Sequence, residues 1–171
     1  MMRPYVVPWS NVESGEEDSN PDDSLYDNRI LAEGDSWFSL GGIPTSNLLF
    51  SMKFRGFTII VNCARPGDTI RKVGMIARNP NLKKAMSRRD GYAWDAILLS
   101  GGGNDLIDDV HKIIRKFSGI RSDPADYCNQ DELAKTLRSV ETGYRKIIGL
   151  RDAAGSSCKG KPAITHTYDW M

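Results

Sequence analysis

The stretch I-L-A-E-G-D-S-W-F, Ile30 to Phe38, runs a short apolar segment into Gly-Asp-Ser, and its reading decides the fold. Taken as a buried strand entering a strand-to-helix turn, it puts the hydroxyl of Ser36 on display at the carboxyl end of a sheet. Ser36 is then a candidate nucleophile, or the cap of the helix that follows. Three further runs share the pattern of R-I-L-A-E, which ends at Glu33: F-T-I-I-V-N ends at Asn62, D-A-I-L-L-S at Ser100 and P-A-I-T-H at His166. Each is short, β-branched or Leu-rich, and apolar on both faces, as buried parallel strands are.

The segments between these runs are long enough for crossover helices. The clearest is D-E-L-A-K-T-L-R-S-V-E-T-G-Y-R-K-I-I-G-L, where Leu133, Leu137, Val140, Tyr144, Ile147 and Ile148 fall on one helical face. Strand and helix in alternation predict an α/β layered fold with a parallel sheet. Residues 1–28 read differently. From Ser10 to Asn28 they are polar, acidic and rich in turn formers, the composition of a flexible lead-in, so the folded domain is expected to span 29–171.

At 171 residues, with 40% hydrophobic and 26% charged, the chain has apolar material for one domain with a core. Its 23 basic and 22 acidic residues leave a net charge of +1, which gives no overall pull toward nucleic acid or an anionic membrane. The charges are uneven: Glu13 to Asp27 is acidic and Arg71 to Arg89 basic, but the basic stretch lacks the interleaved aromatics that stack on bases. Cys63, Cys128 and Cys158 show neither Cys-x-x-Cys spacing nor a paired His, so no metal site, no cofactor and no disulfide framework are expected. The amino terminus is too short in its apolar run, and too broken by Pro4 and Pro8, to be a signal segment, and no stretch has the length of a membrane span. A cytoplasmic protein is the expectation.

In an open parallel sheet, ligands bind outside the carboxyl ends of the strands. That rule selects Gly34-Asp35-Ser36 after the first run, Asn62 to Gly67 after the second, Gly101 to Asp105 after the third, and His166 after the fourth. A serine hydroxyl, backbone amides and a carboxamide gathered on one rim supply a nucleophile with oxyanion donors: Ser36 attacks, while its own N–H, that of Gly67 and the Asn104 side chain hold the developing charge. A rival use of G-G-G-N-D is to cradle a phosphate, but no Walker-type G-K-S/T and no G-x-G-x-x-G accompanies it.

G-D-S, the glycine of N-x-x-x-x-G, and G-x-N-D after the third run resemble the first three blocks of the GDSL, or SGNH, hydrolases, which are serine esterases, lipases and acylhydrolases. The longer wording A-E-G-D-S-W-F, S-G-G-G-N-D and T-H-x-Y-D is similar to a bacterial branch of that family. The resemblance runs from Ile30 to the end of the chain. It implies a flavodoxin-like three-layer α/β/α fold of SGNH-hydrolase type and hydrolysis of a small-molecule or lipid-like ester through an acyl-enzyme. It makes Ser36 the nucleophile and Ser36, Gly67 and Asn104 the oxyanion donors. Gly34, Asp35, Trp37, Gly102, Gly103, Asp105 and His166 would support the site or touch substrate.

Two features depart from the family. Trp37 stands where leucine is expected, putting an aromatic wall beside the nucleophile. The Asp-x-x-His block that carries the general base is absent: the sequence reads T-H-T-Y-D-W-M to Met171, and Asp169 has nothing three residues later to pair with. The expectation is therefore a hydrolase missing its last strand and helix, whose exposed sheet edge favours association with a second copy or a missing C-terminal segment. The alternative is a ligand-binding module without turnover. His111, seven residues beyond Asn104 in a helix, lies roughly 10 Å down that helix at about 1.5 Å per residue, which suits a surface position. His166 sits two strand spacings of about 4.8 Å from the strand before Ser36, which suits a pocket-lining role better than that of direct base.

Overall fold

The computed structural model describes residues 1–39, 47–71, 78–116 and 123–166. Four strands coincide with the four apolar runs: β2 (Asn28–Glu33), β3 (Thr58–Asn62), β4 (Ala96–Leu99) and β5 (Ala163–Thr165). A fifth, β1 (Tyr5–Pro8), pairs parallel with β3 from Tyr5 opposite Ile59 to Pro8 opposite Asn62. The sheet is parallel throughout, in the order β1-β3-β2-β4-β5.

β1 corrects the reading of residues 1–28 as a flexible lead-in. Tyr5-Val6-Val7 is a short strand-forming run, and Pro8, which has no N–H to donate to a ladder, is tolerated because the strand lies at the sheet edge. Helix α1 (Trp9–Ser14) follows at once and ends at Gly15 in the left-handed region, φ 73°. Val7, Trp9 and Val12 are buried in the main core, and Ser19 is buried too. An acidic, turn-rich average over this window hides three apolar anchors; burying each such side chain contributes about 1.5–3 kcal/mol.

Alternate residues of the central strands feed two cores, one on each face of the sheet. Leu31, Ile59, Val61, Ile97 and Leu99 face one side and pack with residues of α4 (Pro80–Met86) and α6 (Gln130–Asp152). Ile30, Ala32, Ile60 and Leu98 face the other, against Phe38 of α2 (Ser36–Ser39) and Leu49 of α3 (Leu48–Ser51). Helix α5 (Gly103–Ile113) lies against α6, where the Thr136 hydroxyl donates to Asp109 at 2.8 Å. The packed stripe of α6 is turned from the predicted one: Thr136, Gly143 and Ile147 are buried, whereas Leu137 is half exposed. Among the described residues β5 pairs with β4 alone, and Ile164 and Thr165 are exposed.

Candidate functional site

From β2 the chain goes to one side for β3 and then to the other for β4 and β5. The crevice at such a reversal, outside the carboxyl ends of β2 and β4, is where open α/β sheets bind ligands. Gly34-Asp35-Ser36 leaves β2 there and Ser100-Gly101-Gly102 leaves β4. The two turns are pressed together: a Cβ on Gly34 would lie 2.4 Å from the carbonyl oxygen of Ser100 and 2.9 Å from its nitrogen. Only glycine permits that approach.

Ser36 is the first residue of α2 and is half-buried. The cap of that helix is its neighbour. Asp35 Oδ1 accepts the N–H of Trp37 at 3.1 Å, and the Asp35 carbonyl accepts the N–H of Phe38 at 3.1 Å and the Ser39 hydroxyl at 2.8 Å. Asp35 is 1% exposed. Its Oδ1 also accepts the hydroxyl of buried Ser100 at 2.7 Å, and Ser100 Oγ lies 2.9 Å from Nε2 of His166. A serine hydroxyl has one hydrogen and an ionised aspartate has none, so Nε2 of His166 is the donor in the second bond. The imidazole also lies 6.1 Å from the Trp37 ring and 6.0 Å from the Phe38 ring, centroid to centroid.

The loop after β3 is stitched to both neighbours. Arg65 N–H donates to the Gly34 carbonyl at 3.1 Å. The Asn104 carboxamide, in the first turn of α5, donates to the Asp68 carbonyl at 3.2 Å, next to Gly67. Both oxygens of Asp105, which is fully buried, are occupied by the N–H groups of Ile70 and Arg71 at 2.9 and 2.7 Å. Gly67 is exposed with φ 78°, so its backbone conformation alone calls for glycine. Gly102, at φ 104°, is the N-cap of α5, and Gly103 begins that helix. On the fourth side, the Tyr144 hydroxyl of α6 donates to the Gly101 carbonyl at 2.9 Å and lies 3.1 Å from the hydroxyl of Thr165.

Sequence reasoning missed three residues of this rim. Ser100 was read as the end of a strand, although its place directly before G-G-G-N-D was a signal. Glu33 is 0% exposed; its oxygens accept the N–H of Gly34 at 2.9 Å and the Asn79 amide at 2.8 Å. Burial pushes the Glu33 carboxyl well above the usual range. Asn79 also donates to the Cys63 carbonyl at 2.7 Å and caps α4 through the N–H of Asn81 at 3.0 Å. Burial likewise raises Asp68, with Arg65 opposing and Asp35 adding to the rise.

His111 is exposed on α5. Asp169 lies outside the described residues, as does much of the loops 40–46 and 117–122 read as pocket walls. Among the described residues no cluster of three or more His, Cys, Asp or Glu could hold a metal ion, and no helix is long and apolar enough to cross a membrane. Compared with known proteins, the chain matches no family model and no curated protein.

Proposed function

We propose that the chain is a serine hydrolase of the GDSL or SGNH type, acting on the ester bond of a small-molecule or lipid-like acyl substrate. The observation that carries this reading is that Asp35, not Ser36, caps α2. A cap explains the aspartate and leaves the serine, half-exposed at the reversal point of the sheet, to be explained by chemistry. In this reading Ser36 Oγ adds to the ester carbonyl, the amides of Ser36 and Gly67 with the Asn104 carboxamide hold the oxyanion, the alcohol leaves with the proton, and water releases the acid. The strand neighbourhood β3-β2-β4-β5 suits the flavodoxin-like, SGNH-type arrangement. The resemblance assigns the general base to an Asp-x-x-His block that this sequence does not contain, so a second copy or a C-terminal segment supplies it.

One observation favours the alternative of a binding module without turnover. His166 Nε2 is engaged with Ser100, which answers to Asp35 and not to Ser36. The two readings separate in one experiment: a fluorophosphonate reagent and a short-chain aryl ester are offered to the chain and to Ser36→Ala. Labelling and hydrolysis that both vanish in the variant support the hydrolase. Equal inertness of two folded proteins supports the binding module.

A further inference from the structure

Building on the hydrolase reading, we propose that the groove between α3 and β5 is the subsite for an uncharged, apolar acyl chain of up to about eight carbons. The groove has a volume of about 270 Å³, and its walls are Phe38, Leu48, Met52, Leu98 and Ile164. No charged side chain lines it; its polar groups are the hydroxyls of Ser51 and Thr165 and the imidazole of His166. Such a lining desolvates a hydrocarbon chain without penalty and offers nothing to a sugar or a phosphate.

Continuity with the candidate nucleophile assigns the occupant. Phe38 is two residues from Ser36 on the same short helix, and His166 packs against Trp37 while Ser100 ties it to Asp35. One end of the groove is therefore built from the turn that presents Ser36. The wall is preformed: Phe38 and Leu98 are 2% and 4% exposed, and the Phe38 carbonyl accepts the Asn62 amide at 2.7 Å and the Asn47 amide as well. At about 30 Å³ per water-sized group, the volume holds about nine such groups, which sets the chain length.

Alkyl trifluoromethyl ketones, from ethyl to dodecyl, test this by fluorine NMR. They need no leaving group: hemiketal formation adds Ser36 Oγ to the carbonyl carbon and the hydroxyl proton to the carbonyl oxygen. Affinity is expected to rise about fourfold per methylene through octyl and then level off. Ile164→Trp, at the half-exposed edge of the groove, levels off near butyl; Met52→Trp, on the opposite wall, is read in its place if the first variant does not fold. A flat series, or a series unchanged by a folded tryptophan variant, overturns the proposal. In Ser36→Ala the chain-length slope persists while the hemiketal signal disappears. A variant identical to the parent at every length instead sinks the hydrolase reading and leaves the groove standing.

Discussion

Nε2 of His166 lies 2.9 Å from the hydroxyl of Ser100, which donates to Asp35 at 2.7 Å, so one buried serine links the wall of the groove to the turn that carries Ser36. Removing that hydroxyl strips a hydrogen bond from a buried carboxylate and an acceptor from the imidazole. Ser100→Ala is expected to cost about 1–3 kcal/mol in urea unfolding. In nitrogen NMR the parent shows His166 as the Nε2–H tautomer; the variant loses that fixed preference. An unchanged tautomer with unchanged stability refutes the link.

Asp35 and Ser36 are adjacent in sequence but do different work, and substitution separates them. Asp35→Ala removes the cap of α2 and orphans the Ser100 hydroxyl, at an expected cost of about 1–3 kcal/mol. Ser36→Ala touches neither bond and is expected to fall within about 0.5 kcal/mol of the parent. Urea midpoints compared at constant slope give the answer; equal losses in both variants would return Ser36 to the role of a cap.

The contact between the turns after β2 and β4 tolerates no added carbon. In Gly34→Ala the new methyl meets Ser100 backbone at 2.4 Å, and backbone cannot swing aside as a flexible side chain would. The expected loss is about 1–3 kcal/mol, the usual cost of forcing extra volume into a packed interior. A neutral outcome in thermal melts would show that the two turns are free to part.

The strands were legible because a parallel strand buried on both faces leaves an unbroken apolar run. Ile30, Ile60 and Ile97, each in such a run, sit in the two cores as their sequence suggests. Edge strands carry no such mark: β1 alternates exposed and buried residues over four positions and adjoins an acidic stretch, so composition outweighed Val7, Trp9 and Val12. At the site, turn glycines and the Gly-Asp-Ser and Gly-Asn-Asp pairs announce strand ends locally. Ser100 to Asp35 spans 65 residues and Asn79 to Glu33 spans 46. Partnerships that distant are set by sheet order, which no single turn encodes. The exposure of Leu137 has the same origin, since which side of α6 faces inward depends on where α5 lies.

Glu33 makes stability pH-dependent in a direction opposite to that of a salt-bridged carboxylate. Burial, the largest influence, raises its folded-state pKa well above 4.5, with nearby Asp68 adding to the rise while the Gly34 N–H, the Asn79 amide and Arg65 oppose it. Between about 4.5 and the raised value the folded protein holds a proton that the unfolded chain has released. Stability is therefore full below this window and falls as pH rises through it, by at most about 1.4 kcal/mol per pH unit for one group. Glu33→Gln cannot titrate. Its amide also puts donors where the carboxylate accepts from Gly34 and Asn79, so the variant starts less stable in acid. The gap between parent and variant should then close as pH rises from 5 toward 9, because only the parent pays to ionise a buried acid. Urea unfolding of both proteins across that range reads the gap directly, and a constant gap would mean that Glu33 keeps one protonation state throughout.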